Sequence, residues 1–340
     1  MQDFYQLDQD EQEKRMQMLA KHSLGFWGLE AADLRLIKYR ENAVYEVNTT
    51  DNQRYALRIH RPGYHTNKAL ESELLWLEAL AQSEILVPQV IPSLKGELSL
   101  VVKIASVPEA RQVDLFAWVE GEQIGSVENG LGEDVEQIKF LFNHLGELAA
   151  KLHNQSSQWE IPDGFERHDW DLEGLLGEQP FWGRFWELSL LNQAQKSLLI
   201  RLREVLYHDL AKENKTAQNY GLIHADFVPE NVLNDQGKMR LIDFDDAGFG
   251  WHMFELATAL YFIREEAIYP VAKAALLKGY RQYRTLTEQD EAKLELFITA
   301  RAMTYLGWIR TRQETSTARE MAPELIRLAC LQARRYLNQG

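Results

Sequence analysis

The sequence predicts an α+β protein in which a small antiparallel sheet with one main helix precedes a larger, mainly helical part. Between residues 34 and 119, five short apolar runs separated by turn residues are typical of strands. From residue 140 onward, apolar residues instead recur mostly at helical spacing. The length of 340 residues is sufficient for two compact domains of ordinary size.

Composition and charge exclude several classes of protein. The chain is 45% apolar and contains no run of about 20 apolar residues, so we expect a soluble protein without a membrane span. A formal charge of -14 disfavours binding to nucleic acid or to anionic membranes. The polar N-terminus lacks the pattern of a secretory signal, and Cys330 is the single cysteine, so we expect a cytoplasmic location.

The first part is predicted to fold as a five-stranded antiparallel sheet with one crossing helix. Turn residues at 50–52 separate two strands, and Pro88 follows the helix as a break. An additional short helix precedes the sheet. The predicted elements are, in order, helix Asp8–His22, strands Leu34–Tyr39, Val44–Asn48 and Tyr55–Ile59, helix Asn67–Ser83, and strands Leu98–Ile104 and Val113–Val119.

The second part is predicted to be helical apart from one hairpin. Two apolar runs, Val232–Asn234 and Met239–Ile242, flank the turn residues Asp235-Gln236-Gly237 and form that hairpin. The predicted helices lie around residues 140–153, 188–210, 253–264, 272–283, 289–312 and 322–337.

The strongest motif lies in two neighbouring segments of the second part. Residues 223–231 read IHADFVPEN, and residues 241–245 read LIDFD. These segments resemble the catalytic loop H-x-D-x-x-x-x-N and the metal-binding aspartate of protein kinases. They are more similar to the corresponding segments of the aminoglycoside phosphotransferase and choline kinase-like family.

This resemblance implies a kinase that uses ATP and Mg²⁺ to phosphorylate a hydroxyl group of a small molecule. It also implies a protein-kinase-like two-lobed fold. Residues 1–119, including the helix at 8–22, would form the nucleotide-binding lobe, and residues 120–340 would form the helical catalytic and substrate-binding lobe.

The residue types in the motif suit phosphoryl transfer. The amide oxygen of Asn231 and the carboxylate of Asp243 are hard ligands of the kind that Mg²⁺ prefers, and the hairpin would bring them to the same end. Asp226 would orient the acceptor hydroxyl and accept its proton. Asp245 is either a second metal ligand or a residue that supports the ligands. The resemblance implies that His224 packs beneath the loop and holds its backbone.

Two residues of the first part match the kinase pattern for binding the nucleotide. Arg58 ends the segment YALR, where protein kinases place the lysine of V-A-I-K that contacts the α- and β-phosphates. Glu73 falls on the apolar face of helix 67–83, where a buried carboxylate needs a cation, so an ion pair with Arg58 is expected. The alternative is a glutamate at the helix rim in contact with water.

Other nucleotide contacts have weaker patterns. Residues 40–44 (RENAV) occupy the turn between the first two strands and resemble the glycine-poor phosphate loop of the family, so Asn42 and Val44 are expected to line the nucleotide. Trp118 and Val119 lie where kinases hydrogen-bond adenine through the backbone. Trp118 is equally well explained as a core residue.

Three departures point away from a conventional protein kinase. Ala225 replaces the arginine that senses activation-loop phosphorylation, and Val228 replaces the catalytic-loop lysine. Asp243 is followed by Phe244-Asp245 instead of Phe-Gly, and no A-P-E motif follows. A Ser/Thr protein kinase of the same fold and a non-catalytic nucleotide-binding regulator remain the alternative functions.

The acceptor is expected to bind beside the catalytic loop, against helices that follow residue 250. Acidic segments at 120–136 and 158–178 could attract an amine, so an amino alcohol, a hydroxy amino acid or an aminoglycoside is expected as the acceptor. The sequence does not distinguish ATP from GTP and does not predict the oligomeric state. Candidate acceptor residues, most of them expected to be core residues, are Trp251, His252, Glu255, Tyr261, Arg301, Tyr305 and Trp308.

Overall fold

The computed structural model describes residues 4–39, 42–125 and 134–339. The chain divides into two compact units, which are described separately. Unit 1 comprises residues 1–120 together with 162–166, and unit 2 comprises residues 121–161 and 167–340. Among the described residues, no helix is both long enough and apolar enough to cross a membrane.

Unit 1 contains the predicted antiparallel sheet. Within the described residues its five strands are arranged in the order β1-β2-β3-β5-β4, and every neighbouring pair is antiparallel. The elements are α1 (Gln9–Leu24), β1 (Ala31–Tyr39), β2 (Ala43–Thr49), β3 (Arg54–Ile59), α2 (Asn67–Gln82), β4 (Ser99–Val102) and β5 (Arg111–Ala117).

Local sequence accounts for the residues at which α1 and α2 begin. Asp8 caps α1 by accepting a hydrogen bond from the Glu11 amide, and Thr66 caps α2 by accepting one from the Ala69 amide. One face of α2 is buried, and it includes Leu70, Leu74 and Leu77 as the helical spacing predicts.

Unit 2 is mainly helical. Its elements are β6 (Glu122–Gln123), α3 (Val135–Gln158), β7 (Asp169–Trp170), α4 (Leu172–Leu176), α5 (Gln193–Leu210), β8 (Tyr220–Ile223), β9 (Val232–Asp235), β10 (Lys238–Leu241), β11 (Gly248–Trp251), α6 (His252–Tyr261), α7 (Tyr269–Arg281), α8 (Glu288–Ala292), α9 (Leu294–Arg310) and α10 (Ser316–Gln339).

The described part of unit 2 also contains two small sheets. The predicted hairpin is present as β9 and β10, and β6 pairs with the outer side of β9. The second sheet has the order β7-β11-β8, in which β11 is parallel to β7 and antiparallel to β8. This second sheet is not apparent from the sequence, and its strand β8 ends at Ile223, where the catalytic-loop motif begins.

Two glycines allow α3 and α7 to pack with their backbones in contact. A Cβ atom on Gly146 of α3 would lie 2.0 Å from the carbonyl oxygen of Leu276. A Cβ atom on Gly279 of α7 would lie 1.9 Å from the carbonyl oxygen of Asn143. Neither position can accept a side chain unless the two helices move apart.

Some predicted helix limits were wrong. The single helix predicted over 289–312 is two helices, α8 and α9, which meet at Lys293. The helix predicted from residue 188 begins at 193, because Asn192 forms a capping box with Gln195. The last helix begins at 316, six residues before the predicted start, and it contains Pro323 in its interior.

Candidate active site

The catalytic-loop motif follows β8 and contains a strained turn. Ala225 has φ of 64°, a left-handed conformation that costs a non-glycine residue about 1 kcal/mol. The buried carboxylate of Glu255 in α6 holds this turn: Oε1 accepts a hydrogen bond from the His224 amide at 2.6 Å, and Oε2 accepts one from the Ala225 amide at 2.8 Å. A core carboxylate therefore fixes the backbone immediately before Asp226.

Burial raises the pKa of Glu255 to about 8, against the two backbone donors, which favour the ionised form. The ring of His153 lies close, with Nε2 3.9 Å from Oε1 of Glu255, and Nδ1 2.9 Å from the hydroxyl of Tyr280. Burial lowers the pKa of His153 well below its usual range, so this ring is neutral at physiological pH.

His224 joins the catalytic loop to the strand that leads to Asp243. Its Nδ1 accepts a hydrogen bond from the Asp226 amide at 3.3 Å, which leaves Nε2 to donate to the carbonyl of Ile242 at 2.9 Å. The ring packs edge-on against Phe244, and burial lowers its pKa to about 4. Through these contacts His224 joins the backbone of the catalytic loop to that of the strand before Asp243.

Asp226 and Asn231 are joined by hydrogen bonds. The side-chain nitrogen of Asn231 donates to Oδ2 of Asp226 at 2.8 Å and to the carbonyl of Asp226 at 2.9 Å. Because both of these contacts use the amide nitrogen, the amide oxygen of Asn231 remains available as a metal ligand. Asn231 is buried, whereas the Asp226 side chain is 24% exposed and so is partly accessible to an acceptor.

The hairpin brings Asn231 next to the segment that carries Asp243. The Ile242 amide donates to the carbonyl of Asn231 at 2.9 Å, immediately beyond the last pair of the hairpin, Val232 and Leu241. Asp243 is exposed and has φ of 66°, a second strained non-glycine position. Asp245 is buried.

Arg167, which no sequence motif indicates, supports the segment after Asp243. Its guanidinium is buried and donates to the carbonyl of Asp245 at 2.6 Å and to the carbonyl of Ala247 at 2.5 Å. This arginine lies about 80 residues away in sequence and matches no motif, so no local pattern could have identified it. It places a positive charge beside the proposed metal ligands.

Arg301 of α9 contacts the carboxylate of Asp226 from the protein interior. Its Nη2 donates to Oδ1 of Asp226 at 2.8 Å and to the hydroxyl of Tyr305 at 2.9 Å. The arginine side chain is fully buried. Each carboxylate oxygen of Asp226 therefore accepts a hydrogen bond, one from Arg301 and the other from Asn231.

The structure separates the acceptor candidates into different groups. Arg301 and Tyr305 lie at Asp226, and Tyr261 packs on Tyr305 with ring centroids 4.9 Å apart. Trp308 is half-buried and lies near Arg312, whose guanidinium carbon is 5.3 Å from its ring centroid. The remaining candidates, Glu255, His252 and Trp251, are buried core residues, as expected for most of the set.

In unit 1, Arg58 contacts two buried carboxylates. Its Nη2 donates to Glu73 at 2.8 Å, so the expected ion pair is present. Nε and Nη2 also form a fork onto Asp114, at 3.0 and 2.7 Å, and His60 Nε2 lies 3.0 Å from the same carboxylate. Burial opposes ionisation of Asp114, but Arg58 and His60 outweigh it and lower the pKa of this carboxyl. Sequence reasoning missed Asp114 and His60.

The other residues of unit 1 that are expected to contact the nucleotide make local contacts. Oδ1 of Asn42 accepts a hydrogen bond from the Arg61 amide at 3.1 Å, and Val44 pairs with Arg58 across β2 and β3. Trp118 is half-buried, with the guanidinium carbon of Arg54 4.4 Å from its ring centroid, and its amide donates to the carbonyl of Arg54. Val119 is also half-buried. Arg40 and Glu41 of the predicted phosphate loop, and residues 126–133 of one acidic segment, lie outside the described residues.

The oxygen ligands in unit 2 suit a magnesium ion. Asn231 and Asp243 offer an amide oxygen and a carboxylate, and Asp245 offers another carboxylate. In the part of the chain that the structure describes, no group of three or more His, Cys, Asp or Glu side chains converges on one point as a metal cage. Few protein ligands are typical of Mg²⁺, which binds through one or two carboxylates together with phosphate oxygens and water.

Comparisons with known proteins agree with these observations. A family model described as "Phosphotransferase enzyme family" matches residues 34–297. Amicoumacin kinase from Bacillus subtilis (strain 168) is 26% identical over 313 residues, which cover 88% of this chain and 86% of that protein. Homoserine kinase from Gluconobacter oxydans (strain 621H) is 31% identical over 189 residues, covering 52% of this chain and 56% of that protein. The solved structure of a microcompartment-associated aminopropanol kinase is 32% identical, with a TM-score of 0.83 over 95% of this chain and 98% of that one.

Proposed function

Because this chain belongs to the phosphotransferase enzyme family, we propose that it transfers the γ-phosphoryl group of ATP to a hydroxyl group of a small molecule in the presence of Mg²⁺. The observation that carries this proposal is the bonded pair of Asp226 and Asn231 at the open end of the β9–β10 hairpin, next to the segment of Asp243. Membership of the family confirms the predicted resemblance, and with the structural likeness it confirms the predicted protein-kinase-like α+β fold. The chain is a kinase-type enzyme, as predicted.

Asp226 is proposed to orient the acceptor hydroxyl and to receive its proton. The hydrogen bonds from Arg301 and Asn231 to its two oxygens support this role, since they fix the plane of a carboxylate that would otherwise rotate freely. A group that accepts the proton during transfer contributes about 10²–10⁴ in rate. His224 holds the loop and does not itself touch the reacting atoms.

Asn231 and Asp243 are proposed to hold the metal ion, and Asp245 is proposed to hold it or to support the other two. A bound magnesium ion would neutralise charge on the phosphate oxygens. The side-chain nitrogen of Asn231 donates to Asp226, which leaves the amide oxygen available for this purpose. Arg167 would keep the backbone at 245–247 in place.

Nucleotide contacts are proposed for unit 1 on the pattern of its family. Arg58 is proposed to contact phosphate oxygens, with Glu73 holding its guanidinium in place. Asn42 and Val44 are proposed to line the nucleotide, and the backbone at Trp118 and Val119 to contact adenine. These roles rest on position in the sheet and on the resemblance.

The acceptor is proposed to be an amino alcohol or a hydroxy amino acid. This proposal rests on relatives named amicoumacin kinase, homoserine kinase and aminopropanol kinase. The net charge of -14 favours an acceptor that carries an ammonium group, and both classes do.

The function can be tested with Asp226→Asn, because asparagine keeps the shape of the side chain beside buried Arg301. ADP release would be measured with Mg-ATP and 1-amino-2-propanol, L-homoserine, L-threonine or a generic protein substrate. We expect turnover with at least one small acceptor, a rate lower by about 10²–10⁴ in the variant, and unchanged nucleotide binding by calorimetry. Turnover should also stop on addition of EDTA and return with excess Mg²⁺.

The matched control is Asp163→Asn, which alters an exposed aspartate of unit 1 and should leave the rate unchanged. Undiminished turnover by Asp226→Asn would contradict the proposed role of Asp226. Phosphorylation of the protein substrate alone would contradict the small-molecule acceptor.

A further inference from the structure

Arg301 is an unusual residue to find beneath the proposed proton acceptor. It lies 75 residues after Asp226 in the sequence, and its side chain is fully buried. Three rings surround its guanidinium carbon, with centroids 4.3 Å away for Tyr305, 4.7 Å for Trp182 and 5.5 Å for Phe254. A buried cation in an aromatic cage is costly unless a nearby anion compensates its charge.

Arg301 uses one nitrogen, Nη2, to donate to Asp226 and to the hydroxyl of Tyr305, and its other guanidinium nitrogens are left over. Among the described residues, Asp226 is the carboxylate that forms an ion pair with it. Its Nε and Nη1 have no hydrogen-bond partner in the described part of the chain. An arginine whose purpose was to brace the core would be expected to satisfy these donors as well. The contact with Asp226 is therefore the best explanation for a charge at this position.

The carboxylate of an aspartate needs more than one anchor to present a fixed face. Rotation about its last torsion has only a broad preference, so a single hydrogen bond leaves the plane of the oxygens poorly defined. Here Asn231, in the catalytic loop, donates a hydrogen bond of 2.8 Å to Oδ2 of Asp226. Arg301, in α9, donates one of 2.8 Å to Oδ1. One anchor lies five residues from Asp226 in the sequence and the other lies 75 residues away, and together they constrain both oxygens.

We propose that Arg301 is a positioning residue for phosphoryl transfer, which together with Asn231 sets the orientation of the Asp226 carboxylate toward the acceptor hydroxyl. This inference rests on the proposed function. Because the arginine is fully buried, the acceptor does not contact it, and its contribution is made through Asp226. Loss of Arg301 should therefore lower kcat and leave the KM of both substrates nearly unchanged.

The charge of Arg301 also serves a site that is rich in carboxylates. Asp243, Asp245 and Asp246 follow one another closely in the chain, and the proposed nucleotide is itself anionic. The indole nitrogen of Trp182 donates to Oδ1 of Asp246 at 3.0 Å, so the same tryptophan contacts both that carboxylate and the guanidinium of Arg301. A lysine at position 301 would retain the charge but could not keep the fixed planar geometry.

The test compares Arg301→Met, Arg301→Lys and the control Arg310→Met with the wild type, using whichever of 1-amino-2-propanol, L-homoserine or L-threonine is turned over. Arg310 lies on the same helix and pairs with Glu187 at the surface, so its loss should not affect kcat. Displacement of a catalytic group by about 1 Å costs on the order of 100-fold, and we expect that loss of kcat in Arg301→Met. Both KM values should stay within about threefold, and Arg301→Lys should recover part of kcat.

A double variant separates positioning from a general loss of stability. If Arg301 acts through Asp226, then Arg301→Met should add almost nothing to the loss already caused by Asp226→Asn. The inference would be overturned if the losses of kcat in the two single variants multiplied in the double variant. It would also be overturned if Arg301→Met kept a kcat within about threefold of wild type, or raised the acceptor KM with kcat unchanged.

An independent readout decides the inference even if no acceptor is turned over, an outcome that would instead count against the proposed function. The unfolding equilibrium constant would be measured by urea denaturation for the wild type, the two single variants Arg301→Lys and Asp226→Asn, and the double variant. If the effects of the two substitutions on the unfolding equilibrium constant differ from additivity by at least tenfold, the interaction of Arg301 with Asp226 is supported. A smaller coupling overturns the inference.

Discussion

Arg58 stands where the kinase pattern has a lysine, and its contacts give a reason for the difference. Its guanidinium forks onto Asp114 and also reaches Glu73, so one side chain links two buried carboxylates on different elements. A lysine ammonium is a compact point charge and lacks the rigid fork that makes this arrangement possible. The exchange that looks conservative in the motif is therefore not conservative in this structure.

We expect Arg58→Lys to lower the free energy of unfolding by about 1.5–3 kcal/mol, the usual cost of losing hydrogen bonds to charged groups. Asp114 is fully buried and cannot replace the lost donor with water. Urea denaturation would measure the effect. The control Arg35→Lys alters an exposed arginine that pairs with Glu46 and should change stability by less than about 0.5 kcal/mol. Equal stability of the two variants would contradict the importance of the fork.

Sequence reasoning found the residues of the motif more easily than those that hold it. Asp226, Asn231 and Asp243 lie within one short segment, and their spacing matches a known pattern. Arg301 and Glu255 were named as acceptor candidates in a set expected to be mostly core, and they are indeed buried. Their polar contacts with the catalytic loop depend on how distant helices pack, which spacing along the chain does not reveal.

At the scale of elements, the β9–β10 hairpin has the greatest influence on the proposed metal site. Its two turn residues, Gln236 and Gly237, have φ of 51° and 91°, the positive values of a type I′ turn. The turn sets the register of the two strands, and in this register the Ile242 amide donates a hydrogen bond to the carbonyl of Asn231 at the open end of the hairpin.

We expect Gly237→Ala to destabilise the protein by about 1 kcal/mol and to raise the Mg²⁺ concentration needed for half-maximal rate. A Cβ at this position would meet no atom within 4 Å, so the effect would come from backbone conformation alone. Gly25→Ala is the matched control, since Gly25 is equally open and has φ of -60°. Identical stability of the two variants would show that the turn is not strained by alanine.

The hairpin and the five-stranded sheet could be predicted because their strands are adjacent in sequence and separated by recognisable turns. The β7-β11-β8 sheet could not. Its strands contain only two to four residues, β11 reads GFGW with two glycines, and its parallel pair joins residues about 80 positions apart. Short, glycine-containing strands have little intrinsic preference, so tertiary contacts decide whether they form.

At the scale of the whole molecule, three buried histidines make stability depend on pH. Burial lowers the pKa of His224 to about 4, of His252 to about 3, and of His153 well below the usual value near 6.5. The unfolded chain therefore binds more protons than the folded protein between these values. Stability from these groups is complete above pH 6.5 and is lost as pH falls below it.

We expect His252→Gln to reduce this acid sensitivity by about 1.4 kcal/mol between pH 7.5 and 5.5, since each histidine contributes roughly that amount for every pH unit below 6.5. The free energy of unfolding would be measured by urea denaturation at both pH values, and the difference compared with the wild type. Glu255, with its raised pKa, acts in the opposite direction in both proteins and largely cancels from the comparison.

The control for this prediction is His208→Gln, which replaces an exposed histidine of α5. Its difference in stability between the two pH values should equal that of the wild type. If His252→Gln behaves in the same way as this control, then His252 is not the source of acid sensitivity.

The close approach of α3 and α7 also limits how this sequence can diverge. Gly146 and Gly279 each face a carbonyl oxygen of the opposite helix at a distance that admits no Cβ atom. A single substitution at either site separates the two helices, so it removes most of the benefit of keeping glycine at the other. Among descendants of this chain, the two positions should therefore covary: both remain glycine, or both are released together when the helices adopt a wider spacing.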